Sequence, residues 1–262
     1  MKHIIILLVI LSAIKAGAQD FSTLFSKGVG YINGKDYVNA TTCLAKALPL
    51  AKSDGEKFNT HLNLAYSCMM AGYNEKALEH YSKAIDIRGY DKALLFQRAA
   101  AYMQAGEYDN AIEDCNRITN YNPNDADAML MRAQAYMAKG ENSKAQEEFT
   151  VIVGKHPRDM NARLGLAMAY KNSKLYEKAT LLIGLLIEEY PENSALYIAR
   201  SDIEREQGLY ELALMDVEKA IALDPGNAGY YTLQSILLEN CGKSEAASKS
   251  RNKAAKIMSE NK

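Results

Sequence analysis

The chain has 262 residues, of which 48% are hydrophobic and 24% are charged, as in ordinary folded proteins. Its 31 basic and 32 acidic side chains nearly cancel, which argues against a surface built to bind nucleic acid or an anionic membrane. The length allows one large domain or two ordinary ones. The composition therefore indicates no partner that is recognised through net charge.

The first predicted element is a leader. An apolar run of 11 residues from Ile4 to Ile14 follows a basic start, whereas a bilayer span needs about 20 residues. Ala16 and Ala18 supply the small residues of a cleavage site, so the pattern predicts a signal peptide at 1–18 that is removed before Gln19. A buried N-terminal helix is the alternative. We expect an exported protein in the bacterial periplasm, or outside the cell, with no stable membrane insertion after cleavage.

The rest of the chain repeats with a fixed period. Alanine recurs every 34 residues, at Ala77, Ala111, Ala145, Ala179, Ala213 and Ala247. Proline recurs at the same interval, at Pro123, Pro157, Pro191 and Pro225. A period in this range indicates a solenoid of stacked supersecondary units.

Each period predicts two helices and a turn. Leu95, Ala99 and Tyr102 are spaced as one face of a helix, and Gly106 ends that helix because glycine tolerates the left-handed conformation. A second helix follows from about Tyr108, and the prolines lie beyond it, where the helix cannot continue. Side chains that suit an N-cap precede each next first helix, at Asp20, Asp91, Asp125, Asp159, Asn193 and Asn227.

The spacing of small residues, tyrosine, glycine, alanine and proline, clearest in "AAAYMQAGEYDNAIEDCNRITNYNPND", resembles tetratricopeptide repeats. The resemblance implies an all-α fold, a right-handed α-solenoid of about seven helix-turn-helix repeats over residues 19–262. The predicted repeats are 21–54, 58–91, 92–125, 126–159, 160–193, 194–227 and 228–261.

Some positions depart from the family pattern. Lys174 replaces the turn glycine, and the first-helix tyrosine is replaced by Cys68, Glu204 and Leu238. The family's tryptophan is absent from the whole chain. The final predicted helix carries Lys249, Arg251, Lys253 and Lys256 where interior repeats carry larger apolar residues. A terminal repeat needs such a wettable face, so we interpret this helix as a cap rather than as a nucleic-acid site.

The chain shows little that suggests catalysis. His61, His80 and His156 lack the convergent partners of a metal site, so we predict structural or solvent-facing histidines, no metal and no cofactor. The stretch "KGVGYINGKDY" is not a phosphate loop, because no strand precedes it and Asp36 stands where Ser or Thr is needed. We predict that the protein is not an enzyme.

The cysteines leave two interpretations open. Cys43 and Cys68 lie on consecutive predicted helices and are the one pair suited to a disulfide, which export would permit. The alternative is that all four cysteines, including Cys115 and Cys241, are small core residues.

The resemblance implies that the first helices line a concave groove where a partner protein or peptide binds. The residues predicted to line it are Phe25, Val29, Ile32, Leu62, Tyr66, Met69, Met70, Phe96, Met103, Leu130, Met137, Leu164, Met168, Lys171 and Arg205. This set is apolar and methionine-rich toward the N-terminus and becomes charged at Lys171 and Arg205. Leu62, Tyr66 and Phe96 occupy places where carboxylate-clamp repeats carry Lys, Asn and Arg, so that subtype is not supported.

These patterns predict an exported scaffold that binds an apolar peptide or protein segment, since methionine suits surfaces that accept varied apolar partners. One alternative is that tight curvature buries the groove side chains against each other. A second is a fixed structural subunit of a cell-envelope assembly, and a third is an enzyme that uses His61 or His80.

Overall fold

The computed structural model describes residues 20–260, so the predicted signal peptide lies outside the described residues. Within that range the chain forms fourteen α-helices and one 3₁₀ turn, which confirms the all-helical expectation. None of the described helices is long and apolar enough to cross a membrane. The described residues form two compact units, 20–128 and 129–260.

The first unit consists of consecutive helices that pack against their neighbours in the chain. They are α1 (Phe21–Asn33), α2 (Tyr37–Ala47), the 3₁₀ turn (Leu48–Leu50), α3 (Asp54–Met70), α4 (Asn74–Arg88), α5 (Lys92–Ala105) and α6 (Tyr108–Tyr121). The next helix, α7 (Ala126–Ala138), contains the boundary between the units. The core of this unit is built around Tyr81, Leu95 and Ile118, none of which is accessible to solvent.

The second unit continues the same alternation of first and second helices. Its helices are α8 (Asn142–Lys155), α9 (Met160–Asn172), α10 (Tyr176–Glu189), α11 (Ser194–Glu206), α12 (Tyr210–Leu223), α13 (Ala228–Asn240) and α14 (Ser244–Glu260). Phe149, Ile183 and Val217 are fully buried at its centre. On α14 the four basic side chains predicted to form a wettable face are exposed.

All six predicted N-caps are confirmed. The shortest of these hydrogen bonds runs from the Thr23 backbone N–H to Oδ1 of Asp20, at 2.8 Å. The others connect each cap side chain to a backbone N–H two or three residues further on, as in Asp91, Asp125, Asp159, Asn193 and Asn227. Each such bond satisfies a donor that the first helical turn would leave unpaired, which is worth about 1 kcal/mol.

The turns between paired helices have the left-handed backbone that the glycines predict. Gly72, Gly106, Gly140, Gly208 and Gly242 have φ angles of 80°, 76°, 77°, 75° and 73°. Lys174 takes the same conformation with φ of 59°, and Lys35 does so in the first repeat. The turn geometry is therefore kept even where a side chain makes the left-handed region unfavourable.

One glycine is required for packing. Gly165 lies on α9, and a Cβ atom there would be 2.3 Å from Cε1 and 2.4 Å from Cζ of Phe149. The Phe149 ring is fully buried on α8, so it cannot swing away into solvent. This fully buried ring therefore needs a residue without a side chain opposite it.

We expect Gly165→Ala to destabilise the second unit by about 1–3 kcal/mol, because overpacking exceeds the gain of up to about 1 kcal/mol in helix propensity. Gly184→Ala on α10 is the matched control, since no neighbouring atom of the described residues lies within 4 Å of its Cβ position. That control should gain about 0.5–1 kcal/mol. Urea denaturation followed by circular dichroism measures both, and Phe149→Leu should rescue Gly165→Ala. Equal effects of the two glycine changes would contradict the packing argument.

Candidate functional site

The candidate site is the face of the first helices, defined by the fifteen residues predicted to line the groove. In the first unit, Ile32, Met69 and Met103 occupy the same place in α1, α3 and α5, and each is half-buried. Tyr66 and Met70 are more open, with 38% and 47% of their surfaces exposed. The bases of Leu62 and Phe96 pack against the core. None of the predicted residues in this unit is fully buried.

The same face in the second unit has two parts. Leu130 and Met137 pack partly against the cluster around Phe149, and Leu164 and Met168 pack against the cluster around Ile183. All four are half-buried, so each keeps some accessible apolar surface. Lys171 and Arg205 follow as the charged part of the face.

That charged part is neutralised within the protein. Nζ of Lys171 donates to Oδ2 of Asp202 and lies 3.0 Å from Oε1 of Glu206. Nη2 of Arg205 donates to the other oxygen of Asp202 at 2.5 Å. Burial would lower the pKa of Lys171, but the hydrogen bonds to the two carboxylates outweigh it and raise that pKa. Lys171 therefore ties α9 to α11, whereas Arg205 pairs within α11, and neither charge is free for a partner.

A second set of polar residues ties the two helices together in the third, fourth, sixth and seventh repeats. These positions are 16 residues apart, one on the first helix and one on the second: Arg98 with Asp114, Arg132 with Glu148, Arg200 with Asp216, and Gln234 with Ser250. Asp114 is almost fully buried and receives two hydrogen bonds from the Arg98 guanidinium, at 2.6 and 2.7 Å. The sequence reasoning did not find these pairs, although the fixed separation of 16 residues was visible in the sequence.

The histidines of the second repeat contact each other. Nδ1 of His61 lies 3.2 Å from Nδ1 of His80, which is hydrogen-bonding distance for one protonated and one unprotonated nitrogen. Burial lowers the pKa of both imidazoles. Residues 20–260 contain no group of three or more His, Cys, Asp or Glu side chains able to hold a metal ion. The geometry is that of a neutral polar contact between α3 and α4.

The cysteines are free thiols in the structure, including the pair that sequence reasoning had considered for a disulfide. Cys68 and Cys115 are buried. Burial raises the pKa of the Cys68 thiol, which keeps it protonated and unreactive at neutral pH. Cys68 and Cys115 are therefore small core residues, which is one of the two interpretations that the sequence left open.

Glu204 occupies the position of the first-helix tyrosine on α11 and is 9% exposed. Its Oε2 has no hydrogen-bond partner among the described residues. Burial, reinforced by the nearby Asp216 carboxylate, raises the pKa of Glu204 to about 7. A carboxyl group that should be ionised is thus held close to half-protonation at neutral pH.

Comparison with known proteins identifies the repeat. Residues 102–159 and residues 194–227 match family models described as tetratricopeptide repeat. A solved tetratricopeptide repeat protein from Parabacteroides merdae superposes with a TM-score of 0.78 at 24% identity, over 92% of this chain and 94% of that chain. A structure of MamA superposes with a TM-score of 0.53 at 20% identity, over 62% of this chain and 95% of that chain. No curated protein matches the chain in sequence.

The two matched segments are tetratricopeptide repeats, and the described chain has the tetratricopeptide-repeat fold. This fold builds scaffolds for protein–protein interaction, in which stacked helix pairs present long binding faces.

Proposed function

We propose that this protein is an exported, non-catalytic scaffold that binds an apolar peptide or protein segment on the face of its first helices. The supporting observation is that all the apolar residues of this face keep accessible surface, and about half of them also pack against the core: Leu62, Met69, Phe96, Leu130, Met137, Leu164 and Met168. A side chain held in this way is positioned in advance and still offers apolar area to a partner. Methionine at three successive equivalent positions, Met69, Met103 and Met137, adapts to partners of different shape.

The charged residues of this face limit where the partner binds. Because Lys171 and Arg205 are already paired with acidic side chains of α11, a partner would have to break those ion pairs to use them. The apolar positions, from Phe25 to Met168, therefore carry the binding in this proposal.

Export is supported by the leader alone, whose short apolar run and Ala16-x-Ala18 ending suit a cleaved signal peptide. N-terminal sequencing of the mature protein tests this part of the proposal. A chain that begins at Gln19 would support it, and a retained Met1 would refute it.

The binding proposal is tested with the double variant Met103→Lys and Met137→Lys. Peptides selected from a random dodecamer library on the wild-type protein should bind the double variant at least about tenfold more weakly, because each lysine puts a charge where apolar surface must be buried. Fluorescence anisotropy with labelled peptides measures the affinity, and the far-ultraviolet circular dichroism signal should not change.

Met258→Lys is the matched control. Met258 is 53% exposed on α14, which is a second helix, and it is not one of the fifteen residues of the proposed site, so its replacement adds the same charge elsewhere. Peptide affinity should be unchanged in this control. Selected peptides that bind the double variant as tightly as the wild type would refute the proposed site.

The alternative of a fixed subunit in an envelope assembly has one observation in its favour. Leu212 and Met215, on the second helix α12, are 49% and 65% exposed, so apolar surface is not confined to the first helices. Co-purification of a partner in fixed stoichiometry, with no dissociable peptide ligand, would favour this alternative.

A further inference from the structure

The fifth repeat has an apolar cleft between its two helices that the sequence reasoning did not single out. It has a volume of about 260 Å³ and is lined by Leu166 and Tyr170 of α9 and by Lys178, Leu181, Leu182 and Leu185 of α10. Leu181 is 66% exposed and Leu185 is 45% exposed, so the rim of the cleft is open to solvent. The two exposed leucines adjoin the apolar lining, so together they form a contiguous apolar patch that a partner can cover.

The preceding repeat has the same cleft with different chemistry. The equivalent pocket is lined at the corresponding positions by Arg132, Tyr136, Lys144, Glu147, Glu148 and Val151, each 34 residues earlier. There an ion pair of 2.6 Å between Arg132 and Glu148 ties the helices across the cleft. In the fifth repeat Leu166 and Leu182 replace this pair, and Leu181 replaces Glu147. Three of the six compared lining positions therefore change from charged to apolar, while the tyrosine, the lysine and the aliphatic residue at the end of the cleft are kept.

The one charged group that remains in the apolar cleft has lost its partner. In the fourth repeat, Nζ of Lys144 lies 2.6 Å from Oε2 of Glu141. The residue equivalent to Glu141 is Leu175, and Lys178 forms no ion pair with any residue between 20 and 260. Its ammonium group lies 5.5 Å from the centre of the Tyr170 ring, at the edge of the cleft. A cation beside an apolar cleft is complementary to a bulky apolar group next to a carboxylate.

We propose that this cleft is a second binding site, which takes one large apolar side chain of a partner peptide with an adjacent Asp or Glu placed against Lys178. The volume supports a side chain rather than a cofactor, because pockets for whole small molecules start at about 300 Å³. The site is separate from the face of the first helices, so it can bind while that face is empty or occupied.

The test uses three acetylated and amidated pentapeptides: Gly-Asp-Phe-Asp-Gly, Gly-Asp-Ala-Asp-Gly and Gly-Lys-Phe-Lys-Gly. Backbone amide shifts of the ¹⁵N-labelled protein report affinity and location. The acidic phenylalanine peptide should bind about tenfold more tightly than the alanine peptide, because its phenyl ring fills the cleft and a methyl group does not. It should also bind about threefold more tightly than the lysine peptide, through attraction to Lys178. The shifted amides should lie at 178–186.

Variants separate the two parts of the recognition. Leu185→Glu, and independently Leu181→Glu, should lower the affinity for the acidic phenylalanine peptide at least about tenfold. Both residues are exposed, so a glutamate at either position still allows the helix to form. Lys178→Gln should abolish the preference for acidic over basic peptides and keep the preference for phenylalanine. Leu212→Glu adds the same charge to an exposed leucine of α12 outside the cleft and should change nothing. The variant with Met103→Lys and Met137→Lys should bind like the wild type.

Three results would overturn the proposal. The first is equal affinity for all three peptides. The second is binding that survives both glutamate variants. The third is a concentration-dependent dimer, seen by sedimentation, that Leu185→Glu abolishes while no peptide preference is found, because a second copy of the chain would then cover the cleft.

Discussion

Asp114→Ala is expected to destabilise the first unit by about 3–5 kcal/mol, the largest effect of any single substitution considered for this protein. Asp114 is almost completely buried and accepts two hydrogen bonds from Arg98, whose remaining nitrogen donates to Oγ of Ser82 at 3.0 Å. Removal of the carboxylate leaves a guanidinium inside the unit without its counter-charge. Thermal unfolding followed by circular dichroism measures the loss as a lower midpoint.

The chain itself supplies the control for this prediction. The fifth repeat carries Leu166 and Leu182 at the positions of Arg98 and Asp114, and it folds with both in contact with its core. The double variant Arg98→Leu with Asp114→Leu should therefore recover most of the stability lost in Asp114→Ala, because an apolar pair often replaces a buried ion pair at little cost. A double variant no more stable than Asp114→Ala would show that the repeat needs the charges themselves.

Glu204→Gln is expected to stabilise the second unit at pH 8 by about 3 kcal/mol, from about 1.36 kcal/mol for each unit of pKa shift. The pKa of Glu204 rises from an ordinary value of 4.5 to about 7 on folding, chiefly because burial disfavours the charged form. The folded state thus binds this proton more tightly than the unfolded state does. Wild-type stability should fall as the pH rises from about 4.5 to about 7 and should then level off.

Glutamine cannot titrate. The gain in stability of Glu204→Gln over the wild type should therefore grow as the pH rises from about 4.5 to about 7, and it should vanish near pH 4.5. Denaturation by urea at pH 4.5, 6 and 8 measures the difference between the two proteins. Glu206→Gln on the same helix is a suitable control, because Glu206 is exposed and its loss removes an ion pair with Lys171 rather than a buried charge. If the wild type and Glu204→Gln had parallel pH profiles, Glu204 would not be the titrating group.

The fold could be predicted because the features that recur are local. An N-cap such as Asp91 and a turn glycine such as Gly106 act within a few residues of themselves, so their spacing alone identifies where helices begin and end. The first junction is three residues longer than the others, since Ala40 and Ala77 are 37 rather than 34 residues apart, and the spacing did not predict the structure of the extra residues. They form a 3₁₀ turn and then a capping box, in which Ser53 and Glu56 satisfy each other's backbone donors.

The candidate site was predicted in part. The apolar residues of the first-helix face are accessible, as a periodic pattern can suggest, but the pattern gave no sign that Lys171 and Arg205 are paired with Asp202 and Glu206. The ion pairs of Lys171 join α9 to α11, and the spacing within one repeat carries no information about them. The cleft in the fifth repeat was missed because the spacing of the leucines on α10 does not show that Leu181 and Leu185 are exposed.

The contact between Gly165 and Phe149 has a consequence for how such a chain can evolve. Repeats that share one plan suggest modules that can be duplicated or exchanged, yet the residue equivalent to Gly165 is Met131 in the fourth repeat and Ala199 in the sixth. A copy of either repeat placed after the fourth would drive a side chain into the Phe149 ring. The order of these repeats is therefore fixed by the contacts between neighbouring repeats. The chain must diversify by paired substitutions across a junction rather than by shuffling whole repeats.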